Sequence, residues 1–249
     1  MKVITKFLSL FNSFLFFRCN CCGFRTLGLK NKWGDYICLS CGSSTRSRLL
    51  CACLQFIEEL SYMKLIWNKS ILHCAPERPT TKYLSAHSGQ YVRADYFASR
   101  YKNSRFIDLN IENKDFPSSN YDCIICLDVL EHVPSASNAL REIHRLLKVD
   151  GCFISSVPIP FGLSSTTEAT MEQQSDAKTL TRIFGIPDHL RMFGSDYEIL
   201  LRQYFGEVKV IKPSSFSAYI RRRHLLTSNI EIVKPLATRN RQIFFAYKK

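Results

Sequence analysis

The segment from Tyr121 to Pro158 constrains this chain more than any other. It begins with a short apolar run, Cys123 to Leu127, long enough for a buried strand. Pro134 and Ser135 interrupt the run, and a serine there can cap a helix. Ala136, Ala139, Leu140, Ile143, Leu146 and Leu147 then recur at helical spacing, with Arg141, Glu142, Arg145 and Lys148 between them. Asp150-Gly151 is expected to end the helix, and Cys152 to Val157 forms a second apolar run, closed by Pro158. Strand, helix and strand over roughly 35 residues predict a right-handed parallel crossover and an α/β fold. Ligands of such sheets sit beyond the carboxyl ends of the strands. Asp128, Glu131 and His132 are therefore candidate site residues.

A second signal lies near the amino end. Cys19-x-x-Cys22-Gly23 and Cys38-x-x-Cys41-Gly42 repeat one knuckle pattern, with 15 residues between the pairs. Four thiolates on two tight turns suit one tetrahedral zinc ion, and a closed four-thiolate set implies structure rather than catalysis. Glycine after each second cysteine permits the backbone a knuckle needs. Cys21 is a register alternative to Cys22. Ser43-Ser44-Thr45 then caps a helix expected to run to about Leu60, with Leu49, Leu50, Cys53, Leu54 and Ile57 as its apolar positions. Arg46 and Arg48 fall in its first turn, where the helix dipole disfavours cations. They face either an anion or solvent, and solvent is the simpler expectation.

At 249 residues the chain has room for one large domain and a small one. The count of 34 Lys and Arg against 21 Asp and Glu gives a formal charge of +13, which favours acidic partners such as RNA, phosphorylated glycans or anionic membranes. It selects none of them. Eleven cysteines without a disulfide-framework pattern fit a reducing, cytoplasmic setting with a metal site. Cys74, Cys123, Cys126 and Cys152 fall in expected core strands, and Cys51 and Cys53 on the helix.

Val3 to Phe17 is rich in Phe and Leu but too short for a span of about 20 residues. No small-residue cleavage site follows it. Phe7, Leu8, Phe11, Phe14 and Leu15 share a helical stripe, which predicts an amphipathic helix over residues 1–18. It docks on the protein itself or contacts a membrane peripherally.

Tyr121-Asp122, Val129 to Val133, Arg145 to Lys148 and Gly151 resemble the late motifs of class I S-adenosylmethionine (SAM) methyltransferases. Ser70 to Ala75 is similar to that family's first strand. Its usual Gly-rich turn is replaced here by His73-Cys74-Ala75-Pro76-Glu77. A subset of the family carries Leu-His-x-Ala-Pro-Glu at this place, with an N-terminal Cys-x-x-Cys pair and a Cys-Gly-Ser segment before an Arg-x-Arg helix. Residues 19–210 resemble that subset nearly end to end. The resemblance implies a Rossmann-like, doubly wound, seven-stranded sheet over 61–249, preceded by a small zinc ribbon and its helix over 19–60.

The same resemblance implies cofactor contacts from His73, Ala75, Pro76, Glu77 and Asp128. It gives Asp95, at the end of Tyr91 to Asp95, to the ribose of SAM. Asp108 and Leu109, at the end of Arg105 to Leu109, go to adenine. Asp128-Glu131-His132 is also similar to the Glu-x-x-Glu-His of ubiquinone-pathway O-methyltransferases, where a divalent metal takes part.

After Pro158 the chain turns polar, and Gly162 to Thr181 reads as a lid or substrate loop. It leads to Asp188-His189-Leu190-Arg191, also similar to the subset. Asp188 can orient His189, and Arg191 can hold an anionic group of the substrate. His189, His132 and Glu131 are the candidate catalytic residues, since a protonated acceptor needs a base. Asp196 to Tyr204 reads as a helix, and Val208 to Ile211 and Gln242 to Tyr247 as a closing antiparallel hairpin. The stretch between those strands, with Arg221 to Arg223, has no counterpart in the resemblance.

The expected function is methyl transfer from SAM to a small-molecule or glycan acceptor. Two alternatives stand beside it: an RNA methyltransferase, and a non-catalytic binding protein that uses its ribbon on a degenerate methyltransferase fold. The oligomeric state is not legible in the sequence.

Overall fold

A computed structural model describes residues 14–31, 35–227 and 241–249 of the chain. In chain order the strands are β1 (Phe14–Arg18), β2 (Arg25–Lys30), β3 (Tyr36–Cys38), β4 (Ser70–Cys74), β5 (Gln90–Asp95), β6 (Arg105–Phe106), β7 (Tyr121–Leu127), β8 (Leu147–Ser156), β9 (Thr167–Glu168), β10 (Arg191–Met192), β11 (Glu207–Ile211) and β12 (Ile243–Tyr247). The α-helices are α1 (Thr45–Phe56), α2 (Tyr62–Leu65), α3 (Arg78–Leu84), α4 (Ala136–Leu146), α5 (Met171–Gln174), α6 (Ala177–Phe184), α7 (Tyr197–Tyr204) and α8 (Ala218–Arg223).

Seven strands form one sheet in the order β11-β12-β8-β7-β4-β5-β6. The pairs from β8 to β6 are parallel. β12 is antiparallel to both β8 and β11. The chain therefore winds outward from β4 on one side and from β7 on the other, and the expected α/β class and closing hairpin are present.

Apolar side chains cover both faces. Ala139, Leu140, Ile143 and Leu146 of α4 pack with Phe153, Tyr197, Leu201 and Phe244 on one face. Each large aliphatic side chain buried this way contributes about 1.5–3 kcal/mol. Ser135 caps α4 by accepting from the Asn138 amide at 3.2 Å. Leu49, Leu50, Cys53 and Leu54 of α1 pack with Ile125, Cys152, Ile154 and Phe245 on the other face. Cys74, Cys123, Cys126 and Cys152 are all buried, where a thiol serves as a small hydrophobe.

Some boundaries differ from the sequence expectation. α4 stops at Leu146, and Asp150-Gly151 lies inside β8 instead of ending a helix. The carboxyl end of β12 recruits it: Asp150 N–H donates to Lys248 O at 2.8 Å and Lys248 N–H to Gly151 O at 3.0 Å. α1 ends at Phe56, and a 3-10 turn covers Glu58–Leu60. The amphipathic helix expected over residues 1–18 falls for residues 1–13 outside the described residues. Phe14–Arg18 is not helical: it pairs antiparallel with β2, from Phe14↔Leu29 to Arg18↔Arg25. Gly162 to Thr181 is more than a loop. β9 pairs with β10, and Ala169, Leu180, Phe184 and Met192 bury one another in a small cluster of their own.

The ribbon is a three-stranded antiparallel sheet, β1-β2-β3. The stretch after β11, unexplained by sequence, ties it down. His224 Nδ1 hydrogen-bonds to Arg18 O at 2.7 Å and the His224 ring stacks on Phe56. Arg48 is fully buried, contrary to the solvent-facing expectation. It donates to Ser43 O at 2.7 Å and to Leu225 O at 3.0 Å, and lies over the Phe17 ring. Among the described residues no helix is long and apolar enough to cross a membrane.

Candidate functional site

The two knuckles bring Cys19, Cys22, Cys38 and Cys41 together, with all four sulfurs within 4.8 Å of one another. Cys19 and Cys41 sulfurs are 3.7 Å apart, and Cys22 and Cys38 4.0 Å. Four thiolates at ~2.3 Å from a central zinc stand about 3.8 Å apart, so the cluster is compatible with a zinc site. Gly23 and Gly42 take φ of +81° and +79°, which lets their amides bond Cys19 O and Cys38 O at 2.7 and 2.8 Å. Hydrogen bonds from Cys21 and Cys41 pull the Cys19 thiol far below its ordinary pKa, so a thiolate is favoured there. Cys22 is the member of the cluster from the first knuckle's second position. Cys21 instead bonds with Cys19 and Cys51, which push its own thiol pKa well above the ordinary value.

The second assembly lies at the carboxyl edge of the large sheet. Ala75 follows β4 at φ +48° and Asp128 follows β7 at φ +52°. Both adopt the left-handed turn that glycine usually supplies. The Gly-rich motif is absent, yet its turn conformation is kept, and alanine is the smallest side chain that keeps it. Pro76 is buried in the same turn, and Glu77 occupies the N-terminal cap position of α3.

Arg46 reaches this edge from the first turn of α1. It pairs with Glu77 and with Asp128, contrary to the solvent-facing expectation. Ser47 hydroxyl also donates to Glu77, at 2.7 Å. Asp128 accepts further from Arg241 at 2.6 Å and from Ser156 hydroxyl at 2.7 Å. Burial opposes ionisation of Asp128, but Arg46 and Arg241 outweigh it and hold its carboxyl well below the usual range. Arg46 and Arg241 were not singled out from sequence as site residues. The available signal was two cations in a helix first turn, a place that asks for an anion.

His73 is fully buried, and its Nδ1 shares a 2.5 Å hydrogen bond with Tyr91 hydroxyl on β5. Burial lowers its pKa to about 4. Its Nδ1 therefore serves the sheet, while its Nε2 is buried without a hydrogen-bond partner. Asp95 lies at the end of β5, where its Oδ1 accepts from Phe97 N–H at 2.6 Å. Asp108 follows β6 and accepts from Asn110 N–H at 2.8 Å, with Leu109 buried beside it. Each carboxylate thus caps its own turn with one oxygen.

Glu131, His132 and His189 also meet, with one ligand-type atom of each within 4.8 Å of the others. Glu131 and His189 are 1% and 4% exposed, and Glu131 Oε2 and His189 Nδ1 are buried without hydrogen-bond partners. The two imidazole rings meet edge to face. Burial and the Asp128 charge push the Glu131 pKa well above the carboxylate range. Burial and His132 lower that of His189 to about 4. At neutral pH the cluster thus holds a neutral His189 imidazole beside a carboxyl whose protonated form burial favours. This set could equally hold a divalent ion. Asp128, expected in such a set with Glu131 and His132, is taken up by Arg46, Arg241 and Ser156.

Asp188 orients His132 rather than His189: its carbonyl lies 2.9 Å and its carboxylate 3.6 Å from His132 Nδ1. Arg191 does not face a substrate. It is 1% exposed and donates to Glu168 at 2.8 Å, to the carbonyls of Leu130 and Val133 at 2.5 Å, and to Pro134 O at 2.9 Å. It ties β9 and β10 to the turn that carries Glu131 and His132. Leu190 N–H adds a bond to Glu131 O at 2.8 Å.

Several solved structures are similar to the chain. The CurJ carbon methyltransferase is 16% identical at a TM-score of 0.48, over 82% of this chain and 54% of that one. The 1,6-didemethyltoxoflavin-N1-methyltransferase of Burkholderia thailandensis is 18% identical at 0.47, over 79% of this chain and 78% of that one. A SAM-dependent methyltransferase from Mesorhizobium loti is 15% identical at 0.48, over 74% and 92%. No curated protein matches the chain in sequence. Residues 78–155, from α3 through nearly all of β8, match the family model of the methyltransferase domain, and that match supports a methyltransferase.

Proposed function

We propose that the chain transfers a methyl group from SAM to a small-molecule or glycan acceptor, and that the four-cysteine ribbon holds a structural zinc. One observation carries the reading. Buried, unpartnered Glu131 and His189 meet at the same sheet edge as the Ala75 turn, Asp95 and Asp108, within or beside the segment that matches a methyltransferase domain. The residues fit the cofactor, because the left-handed Ala75 turn leaves room for close approach and Arg46 Nε is an unspent donor.

The cofactor supplies an electrophilic sulfonium methyl. The acceptor atom must be held in line with it, and positioning supplies much of the acceleration. Asp95 and Asp108 hold the nucleoside end. His189 is neutral at pH 7 and takes the acceptor's proton at its unpartnered Nδ1. Burial and the Asp128 charge push the Glu131 carboxyl toward its protonated form. His132 flanks His189, with Asp188 fixing its ring. Arg191 and Leu190 keep the lid on this turn, which excludes water.

The RNA alternative rests on the +13 charge. Several of the basic side chains behind it have internal duties, as with Arg46, Arg48 and Arg191, and with Arg221 donating to Phe216 O. Calorimetry with SAM, on zinc-loaded protein, tests the reading first; absence of binding would sink it. His189→Ala is expected to keep SAM affinity and lose turnover at least about 100-fold. Metal analysis should find one zinc per chain in the wild type and none in Cys38→Ser.

A further inference from the structure

The ribbon sheet has two faces, and its register assigns side chains to each. Residues directly opposite in an antiparallel pair share a face, and neighbours along a strand alternate. Phe17 pairs with Thr26 and Gly28 with Cys38, and all four are buried on the inner side. The outer side carries Phe16 opposite Leu27, Arg18 opposite Arg25, and Leu29 opposite Ile37. Phe16 is 83% exposed and Leu29 41%. An antiparallel sheet with one face on a core normally turns polar residues to water on the other. Here that face is apolar along its middle and cationic at one end, where Arg18 and Arg25 are both exposed. Phe24 and Leu39, at the two knuckles, are exposed as well.

Charge decides what fits this face. Residues 1–34 hold Lys2, Lys6, Arg18, Arg25, Lys30 and Lys32, and no Asp or Glu. The first acid, Asp35, is buried and accepts from Thr45 N–H. A second copy of the chain would bring a patch of the same sign against it. The chain's own leading segment, with Lys2 and Lys6 and no acid, offers no complementary charge either. Single-stranded RNA is anionic but is held on aromatic stacking platforms, whereas Leu27, Leu29 and Ile37 are aliphatic. An anionic bilayer suits both parts of the face. Phe and Leu enter the boundary between headgroups and acyl chains, and Arg meets the phosphates.

We propose that the outer face of the ribbon sheet docks on an anionic lipid bilayer, with Phe16 and Leu29 in the interface and Arg18 and Arg25 against lipid phosphates. Cys19 and Cys38 stay buried on the inner side, away from lipid. The proposal is independent of the methyl-transfer reading.

Co-sedimentation of the full chain with phosphatidylcholine vesicles, with and without phosphatidylglycerol, tests it. Binding is expected where phosphatidylglycerol is present and should weaken as salt rises. Phe16→Ala should weaken it about 10-fold or more, and Arg25→Ala about 5-fold. Arg25→Ala also serves if Phe16→Ala fails to fold. Ile199→Ala, at an exposed apolar position on α7, is the control and should bind as the wild type does. No binding to either vesicle, equal binding to both, or equal binding by all variants would overturn the proposal. So would a dimer that Phe16→Ala dissociates, or a single-stranded RNA held through Phe16, in place of vesicle binding.

Discussion

At the residue scale, the left-handed turns at Ala75 and Asp128 are the positions where backbone conformation and site coincide. A non-glycine residue there costs about 1–2 kcal/mol. Ala75→Gly should therefore raise unfolding free energy by up to about 1 kcal/mol, and Ala75→Val should lower it by about 2 kcal/mol, both read from urea titrations. Arg191 gives a sharper case. Its removal takes the donor from three carbonyls, of which the Leu130 bond is buried; an unsatisfied buried group costs about 1–3 kcal/mol, so Arg191→Ala should lose at least that much. Arg191→Lys should recover little, because an ammonium cannot reproduce the planar fork. His73 sets a pH dependence. Its folded-state pKa is about 4, against 6.5 for the free group. The unfolded chain therefore binds the proton first as pH falls, and stability drops from pH 6.5 toward pH 4. The loss is about 3 kcal/mol at 1.4 kcal/mol per pK unit, and it is absent above pH 6.5. In His73→Asn the slope of unfolding free energy over that window should shrink; an unchanged slope would refute the assignment.

At the element scale, Ser44 caps α1 by accepting from Ser47 N–H at 3.3 Å. Ser44→Ala should cost about 1 kcal/mol in chemical unfolding. The cap, the knuckles and the βαβ segment were legible because each is a local pattern of spacing and turn chemistry. What escaped the sequence was decided by distant partners. Phe14–Arg18 is apolar at every position before Arg18, so periodicity cannot separate helix from strand, and pairing with β2 decides it. Asp150-Gly151 carries a helix-stop signal that β12 overrides by extending β8 backward. Leu180, Ile183 and Phe184 do stand at helical spacing at the end of the polar stretch and just beyond it, but their burial partner Met192 lies farther along the chain. The candidate site shows the same division. Glu131, His132 and His189 are candidates by residue type and the fold brings them together, whereas the placement of Arg46 and Arg191 needed the fold.

At the scale of the whole molecule, α1 ties the ribbon to the rest of the chain: Asn20 donates to Arg48 O at 2.9 Å, Arg48 to Leu225 O beyond α8, and Arg46 pairs with Asp128 at the end of β7. Removing the zinc that we propose should therefore not melt the ribbon alone. A chelator is expected to lower the Tm of a single transition by about 10 °C or more, since each kcal/mol moves a chain this size about 2–4 °C. Two separate transitions, the upper one unchanged, would show that the ribbon is energetically independent.

The position of β12 has a consequence in time. Ile243–Tyr247 is the last described strand to be synthesised, yet it lies between β8 and β11, with Phe244 opposite Ser155 and Phe245 opposite Ile154. A ribosome adding about 5–20 residues per second leaves the β8 edge unpaired for roughly 5–20 s after β8 is made. Through that interval the nascent chain carries an open, apolar β-edge, the kind of surface that recruits neighbouring chains. Slowed elongation between residues 156 and 243 should therefore cost soluble yield during biosynthesis, while refolding of the finished chain escapes that penalty.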